Sequence, residues 1–229
     1  MRAIFLKGET FQLGAKQLTG EKTHHLLNVV RIKVGQHILL LNGNGTRALS
    51  SVESISKKAV GLNITSVEEV ENKKGLSIAF ALPKKDAFES ALRACVEVGA
   101  NEIIVLSTER SQTYPIKEDR VQKILTAAIE QSNNPYEPRF EKLEIGDLDS
   151  SKYGQVVLAT LAKGEGTSLK DSIEGTLLVI GPEGGLTDAE ELNLLNRGAH
   201  ALRVNVPILR TQTAIPFLSG YLLGNAVDC

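Results

Sequence analysis

The sequence predicts an α/β protein in two parts, a small amino-terminal β-barrel over residues 1–72 and a mostly parallel sheet covered by helices over residues 73–229. Three observations carry this. Up to about residue 70, short apolar runs are broken by turn signals. After residue 75, apolar strand runs alternate with segments of helical period. Between them, Glu68 to Gly75 is charged, has no apolar anchor and reads as a linker. The length of 229 residues fits one large domain or two modest ones. With 42% hydrophobic and 23% charged residues, the chain has the balance of a globular protein that can bury a core.

In the first part, His37–Asn42 and Ala59–Val67 are strand-like. Asn42-Gly43-Asn44-Gly45 is a turn signal, because Asn and Gly tolerate positive φ. Glu21 to Val30 is the helical exception, with Thr23 as a cap and Leu26, Leu27 and Val30 at helical spacing. In the second part, Leu76–Leu82 is a buried strand. Asp86 caps a helix to about Val98 that places Phe88, Leu92, Cys95 and Val96 on one side, and Gly99 ends it. Glu102–Ser107 is a strand. Glu118–Ser132 is a helix with Val121, Ile124, Leu125, Ala128 and Ile129 on one face, stopped by Pro135 and Pro138. Gln155–Thr160 and Thr176–Gly181 are buried strands. A helix spans Thr187 to about Arg197, a last strand Ala201–Val204, and a last helix Thr213–Ala226.

The net charge of −1 argues against a protein that holds nucleic acid by bulk electrostatics alone. Residues 1–72 nevertheless carry nine Lys/Arg against six Asp/Glu, and three of the four histidines, so the barrel is the better RNA-facing half. The two cysteines, Cys95 and Cys229, give neither a disulfide framework nor metal spacing, and the histidines form no ligand cluster with them. The start has no signal-like apolar run and no stretch approaches a membrane span, so a reducing cytoplasm is expected, without membrane or metal.

Two segments carry chemistry. Gly181-Pro182-Glu183-Gly184-Gly185 follows a buried strand and precedes Thr187-Asp188-Ala189-Glu190, a capping-box sequence. A glycine-rich turn at a strand's carboxyl end is where ligands bind in open α/β sheets. Its spacing is wrong for a dinucleotide fingerprint and it lacks the Lys-Ser/Thr of a P-loop. The second segment, Val204 to Ala214, places Arg210 between an apolar pair and the hydroxyls of Thr211 and Thr213.

In this order and at this separation, the two segments resemble the carboxyl-terminal signature of SPOUT methyltransferases. His24-His25-Leu26-Leu27-Asn28-Val29-Val30-Arg31, Gly35 and Asn42–Gly45 resemble the amino-terminal, PUA-like barrel of the ribosomal RNA uridine-N3 methyltransferase family. Ser107-Thr108-Glu109-Arg110-Ser111 and Glu130-Gln131-Ser132 resemble its central motifs. The chain departs from the family at Asn133-Asn134, where Gly-Arg is usual, and at Val206-Pro207, where a glycine is usual.

The resemblance implies a trefoil-knotted sheet and a homodimer. It implies S-adenosylmethionine held by the loops near Leu161–Lys163, Gly181–Gly185 and Val204–Thr211, with Leu161, Ala162, Gly181, Glu183, Gly184, Gly185, Val204, Leu209 and Thr211 as binding residues. Arg2, His24, Arg31 and Arg110 would meet ribosomal RNA or the small subunit. The expected activity is methylation of uridine N3. Arg210 would stabilise negative charge on the uracil oxygens, and Glu183 would accept hydrogen bonds rather than act as base. Two other readings stand beside this one: an RNA-binding protein without catalysis, and a nicotinamide enzyme using Gly164-Glu165-Gly166.

Overall fold

The structure is a computed structural model that describes residues 2–20, 23–24, 26–71, 75–160 and 173–225. The chain forms two compact units, one of residues 1–72 with 126–137, the other of residues 73–125 with 138–229.

The first unit is built on β1 (Arg2–Phe5), β2 (Gly14–Thr19), β3 (His37–Leu41), β4 (Thr46–Ile55) and β5 (Ala59–Glu69). They form one sheet in the order β1-β3-β4-β5-β2. The β1–β3 pair is parallel and the other pairs are antiparallel. Burial alternates residue by residue along the first part of β4 and β5, as a half-buried strand requires. All five strands supply one core, for example Ile4, Leu18, Ile38, Val52 and Leu62. Register shifts in the β4–β5 ladder at Leu49/Ser50 and Val52/Ser54 mark the irregularities that bend such a sheet.

Two local expectations change in this unit. The strand β5 runs on to Glu69, so Glu68 and Glu69 are not linker. Thr46 Oγ1 donates to the Glu69 carboxylate at 2.9 and 3.1 Å, an anchor that composition does not reveal. The helix expected over Glu21–Val30 is described as a helical Thr23 and His24 and one π turn over Leu26–Val30. Glu21, Lys22 and His25 lie outside the described residues. The turn ends at Arg31, an exposed residue with φ 53°.

The Asn42–Gly45 turn does have positive φ at both glycines, 84° and 97°. It is also a seat. Asn42 Oδ1 accepts from the Asn44 and Thr46 amides at 2.8 and 3.0 Å. Tyr136 bridges to Gly43 and Asn44, the Gly45 amide donates to Pro135 O at 3.0 Å, and the Tyr136 hydroxyl donates to Val70 O. A Cβ on Gly45 would overlap the Tyr136 phenol.

The second unit holds β6 (Ser77–Ala81), β7 (Glu102–Ser107), β8 (Arg139–Glu144), β9 (Gln155–Ala159), β10 (Thr176–Ile180) and β11 (His200–Leu202). Their order is β11-β9-β10-β6-β7-β8, and every pair is parallel. The strands β6 and β10 are buried at every position, hence sequences that are apolar but for Ser77 and Thr176 at their starts. The helices are α1 (Lys85–Glu97), α2 (Glu118–Ser132), whose residues from Thr126 on belong to the first unit, α3 (Asp188–Asn196) and α4 (Thr211–Asn225). Asp86 does not cap α1. Lys84 is the cap residue and its carbonyl accepts from Phe88 N, which leaves Asp86 in the first turn, where its charge still suits the helix dipole. Gly99, at φ 76°, ends α1 as expected. The last helix starts at Thr211 rather than Thr213, because Arg210 O accepts from both Thr213 N and Ala214 N at 2.8 Å. It packs against α1 and β10.

Candidate functional site at the carboxyl ends of three parallel strands

The strands β11, β9 and β10 lie side by side and end at the same edge of the sheet. Parallel strands carry the segments that follow them at one edge. The described residues there line a cavity of about 310 Å³. Its lining includes Ala159 at the end of β9 and Thr160 after it, Gly181–Leu186 after β10, Val204 and Val206–Leu209 after β11, and Ala214 and Leu218 of α4.

The 181–186 turn is shaped by backbone chemistry. Gly185 takes φ 72° and its amide donates to Pro182 O at 2.8 Å. Gly181 passes close to Leu186, where an added Cβ would meet Leu186 N at 3.3 Å and Cγ at 3.2 Å. The capping box is present: Thr187 Oγ1 accepts from Glu190 N at 3.3 Å, and Thr187 N donates to Glu190 Oε2 at 2.9 Å. On the opposite wall, Thr160 Oγ1 donates to the Glu191 carboxylate.

A further loop braces the turn. Arg110 Nη1 donates to Gly184 O at 3.0 Å and to Leu186 O at 3.2 Å. Glu109 N donates to Glu190 Oε1 at 2.9 Å. Partial burial would raise the Glu190 pKa, but the Thr187 and Glu109 amides, the Thr187 hydroxyl and the nearby Arg110 charge outweigh it and hold the carboxyl below its ordinary range.

The sequence-expected residues fall as follows. Gly181, Glu183, Gly184, Gly185, Val204 and Leu209 line the cavity. Thr211 is 2% exposed in the first turn of α4, and its Oγ1 has no hydrogen-bond partner among the described residues. Arg210 is exposed at the amino end of that helix, whose first turn holds no acidic residue. Leu161 and Ala162, with Lys163 and the Gly164–Gly166 motif, lie outside the described residues. Arg2, His24 and Arg31 are exposed on the first unit. Arg110, expected at RNA, is bonded to the glycine-rich turn. The sequence reading omitted Thr160, Glu191, Ala214 and Leu218. Only the last two carried a signal, the four-residue spacing of apolar positions on one helix face. Among the described residues no group of three His, Cys, Asp or Glu side chains could hold a metal, and no helix is long and apolar enough to cross a membrane.

Residues 70–223 match the family model described as an RNA methyltransferase domain, and residues 18–65 match that of the RNA methyltransferase PUA domain. The chain is 30% identical over 226 residues to the ribosomal RNA small subunit methyltransferase E of Bacillus subtilis, covering 86% of this chain and 85% of that protein. It is 32% identical over 208 residues to the protein of the same name from Synechocystis, covering 86% and 69%. Among solved structures, a Legionella pneumophila methyltransferase described in complex with the cofactor SAM superposes with a TM-score of 0.83 at 27% identity, covering 99% of this chain and 98% of that one. The Neisseria gonorrhoeae small-subunit methyltransferase E has the same fold, with a TM-score of 0.84 at 22% identity over 98% and 97% of the two chains.

Proposed function

The chain belongs to the RNA methyltransferase family, and on that premise we propose that it transfers the methyl group of S-adenosylmethionine to N3 of a uridine in small-subunit ribosomal RNA. The observation that carries the reading is the cavity at the ends of β11, β9 and β10, closed by the Gly181–Leu186 turn and the Val204–Leu209 loop. The residues present fit the cofactor. The glycines of the turn leave backbone open at the wall, the rest of the lining is largely apolar, and Thr211 Oγ1 is a buried hydroxyl without a partner among the described residues. Gly181, Glu183, Gly184, Gly185, Val204, Leu209 and Thr211 would hold it, with Leu161 and Ala162 completing the set.

When bound, the cofactor supplies an electrophilic methyl on a sulfonium, so no enzyme nucleophile is required. The chain's own work is positioning and charge stabilisation. Uridine N3 carries a proton with a pKa above neutral, and its loss leaves negative charge on the ring oxygens. Arg210 stands at the amino end of α4, where the helix dipole and the guanidinium both favour an anion. It is the residue assigned to that charge. Glu183 is exposed on the turn and serves as a hydrogen-bond acceptor.

The first unit is the RNA-binding module in this reading, through the exposed Arg2, His24 and Arg31. Two copies pair through α4, which exposes Phe217, Tyr221 and Leu223 at 41, 45 and 36% beside Gly220 and Gly224. A trefoil threading is part of the same reading. It is supported by the passage of the chain from β10 across β9 to β11 and by the return of α4 onto β10. The substrate places the enzyme in the cytoplasm. The test is calorimetric titration with S-adenosylmethionine, followed by methylation of undermodified small subunits and nucleoside mass spectrometry. Binding and 3-methyluridine are expected. Absence of cofactor binding, or a methyl on another atom, would overturn the reading.

A further inference from the structure

We propose that Arg110 and Glu190 are positioning residues that hold the glycine-rich turn in its cofactor-receiving shape, a role that rests on the cofactor reading above. The segment after β7 and the segment after β10 are far apart in sequence, yet two independent contacts tie them. Arg110 Nη1 reaches the carbonyls of Gly184 and Leu186 at 3.0 and 3.2 Å. The Glu190 carboxylate takes the Glu109 amide on one oxygen and the Thr187 amide on the other, both at 2.9 Å.

Each contact fixes an orientation that the turn cannot fix for itself. A carbonyl direction sets the whole peptide plane, because the unit is planar. Binding the oxygens of residues 184 and 186 therefore sets two planes of a segment whose glycines have little intrinsic preference. The internal Gly185–Pro182 hydrogen bond holds only the middle of the turn. Glu190 does two jobs with one side chain. It completes the capping box of α3 and anchors the Thr108–Ser111 turn to the same helix end. A cationic donor to carbonyls and a carboxylate accepting amides are the stronger class of hydrogen bond. Arg110 does not line the cavity, so it acts on the cofactor through the turn.

The prediction separates binding from chemistry. Arg110→Met keeps the aliphatic stem and removes both donors. It should weaken S-adenosylmethionine binding by about tenfold, the loss expected for one charge-assisted hydrogen bond, while kcat at saturating cofactor stays within about threefold. Arg110→Lys should recover part of the affinity, since one ammonium nitrogen can donate to the same two carbonyls but sits on a side chain one bond shorter. Glu190→Gln should shift cofactor KM in the same direction. Titration of the full-length wild type and variants with S-adenosylmethionine, single-turnover methylation at saturating cofactor, and RNA affinity are read together. Unchanged cofactor affinity in Arg110→Met overturns the proposal. If RNA affinity falls instead, Arg110 is an RNA contact. If Arg110→Met fails to fold, Arg110→Lys and Glu190→Gln decide, and normal cofactor KM in both overturns the proposal. Failure of the wild type itself to bind cofactor would sink the functional reading, a distinct outcome.

Discussion

Replacing Arg210 by alanine should remove most of the chemistry and little else. The side chain is exposed. Its structural contribution is its backbone carbonyl, which accepts from Thr213 N and Ala214 N at 2.8 Å, and alanine retains that carbonyl. The fold and the start of α4 should therefore survive, with a change in stability of no more than about 0.5 kcal/mol, typical of a surface site. What is lost is a cationic donor at the positive end of a helix, next to the Val204–Leu209 loop. Removing one donor to a developing anion lowers kcat by about 100- to 1,000-fold. Because the group is exposed and water can partly replace it, the lower figure is expected. Single-turnover methylation of small subunits measures the step directly, with titration for cofactor affinity and thermal denaturation as controls. Arg210→Lys should recover little, since a point charge cannot match the planar fork. Loss of cofactor binding in Arg210→Ala would make the residue structural. A normal rate would place the charge stabilisation elsewhere.

Arg31→Ala should weaken RNA binding and reduce the slope of log affinity against log salt by about one unit, measured by filter binding across a salt series; an unchanged slope removes Arg31 from the phosphate contacts. Gly45→Ala combines left-handed strain with overlap on the Tyr136 phenol and should destabilise by about 2–5 kcal/mol in urea denaturation, whereas on a Tyr136→Ala background only the strain of about 1–2 kcal/mol should remain. Glu190, its pKa held below the ordinary 4.5 of a free glutamate in the fold, contributes stability that is present above 4.5 and lost as pH falls through the lower folded value. The Tm gap between wild type and Glu190→Gln should therefore close as pH drops below that value, and a gap that is constant with pH would refute the account.

The features that could be read in the sequence were those whose cause is local. A strand buried on both faces is apolar over most of its length, so β6 and β10, apolar after Ser77 and Thr176, declare themselves. A capping box is a four-residue pattern, and Thr187 and Glu190 form it. What could not be read depends on partners distant in sequence. The strand β8 is an edge strand of sequence Arg-Phe-Glu-Lys-Leu-Glu, mostly exposed, and its charges hide it from any hydrophobic signal. The glycines of Asn42–Gly45 fit a hairpin, but Gly45 is also required because Tyr136 lies against it. The bonds from Arg110 to Gly184 and Leu186 could not be read either, because nothing near it in sequence points to those acceptors. Glu190 could be read as a cap, but not as the anchor of a second loop.

The order of strands also sets a timetable for synthesis. The first sheet has all five strands once Glu69 is made. The second cannot assemble so soon. Ser77 waits for Leu177, and Val157 for His200. Until the last fifty or so residues leave the ribosome, β6 and β7 are apolar strands without β10 between them and β9. Such long-range parallel pairing forms slowly and leaves sticky edges open in the meantime. A truncation between Glu137 and α4 would thus release a chain with a complete first unit and an aggregation-prone remainder. During translation, the cell handles this protein as one stable module towing an unfinished one.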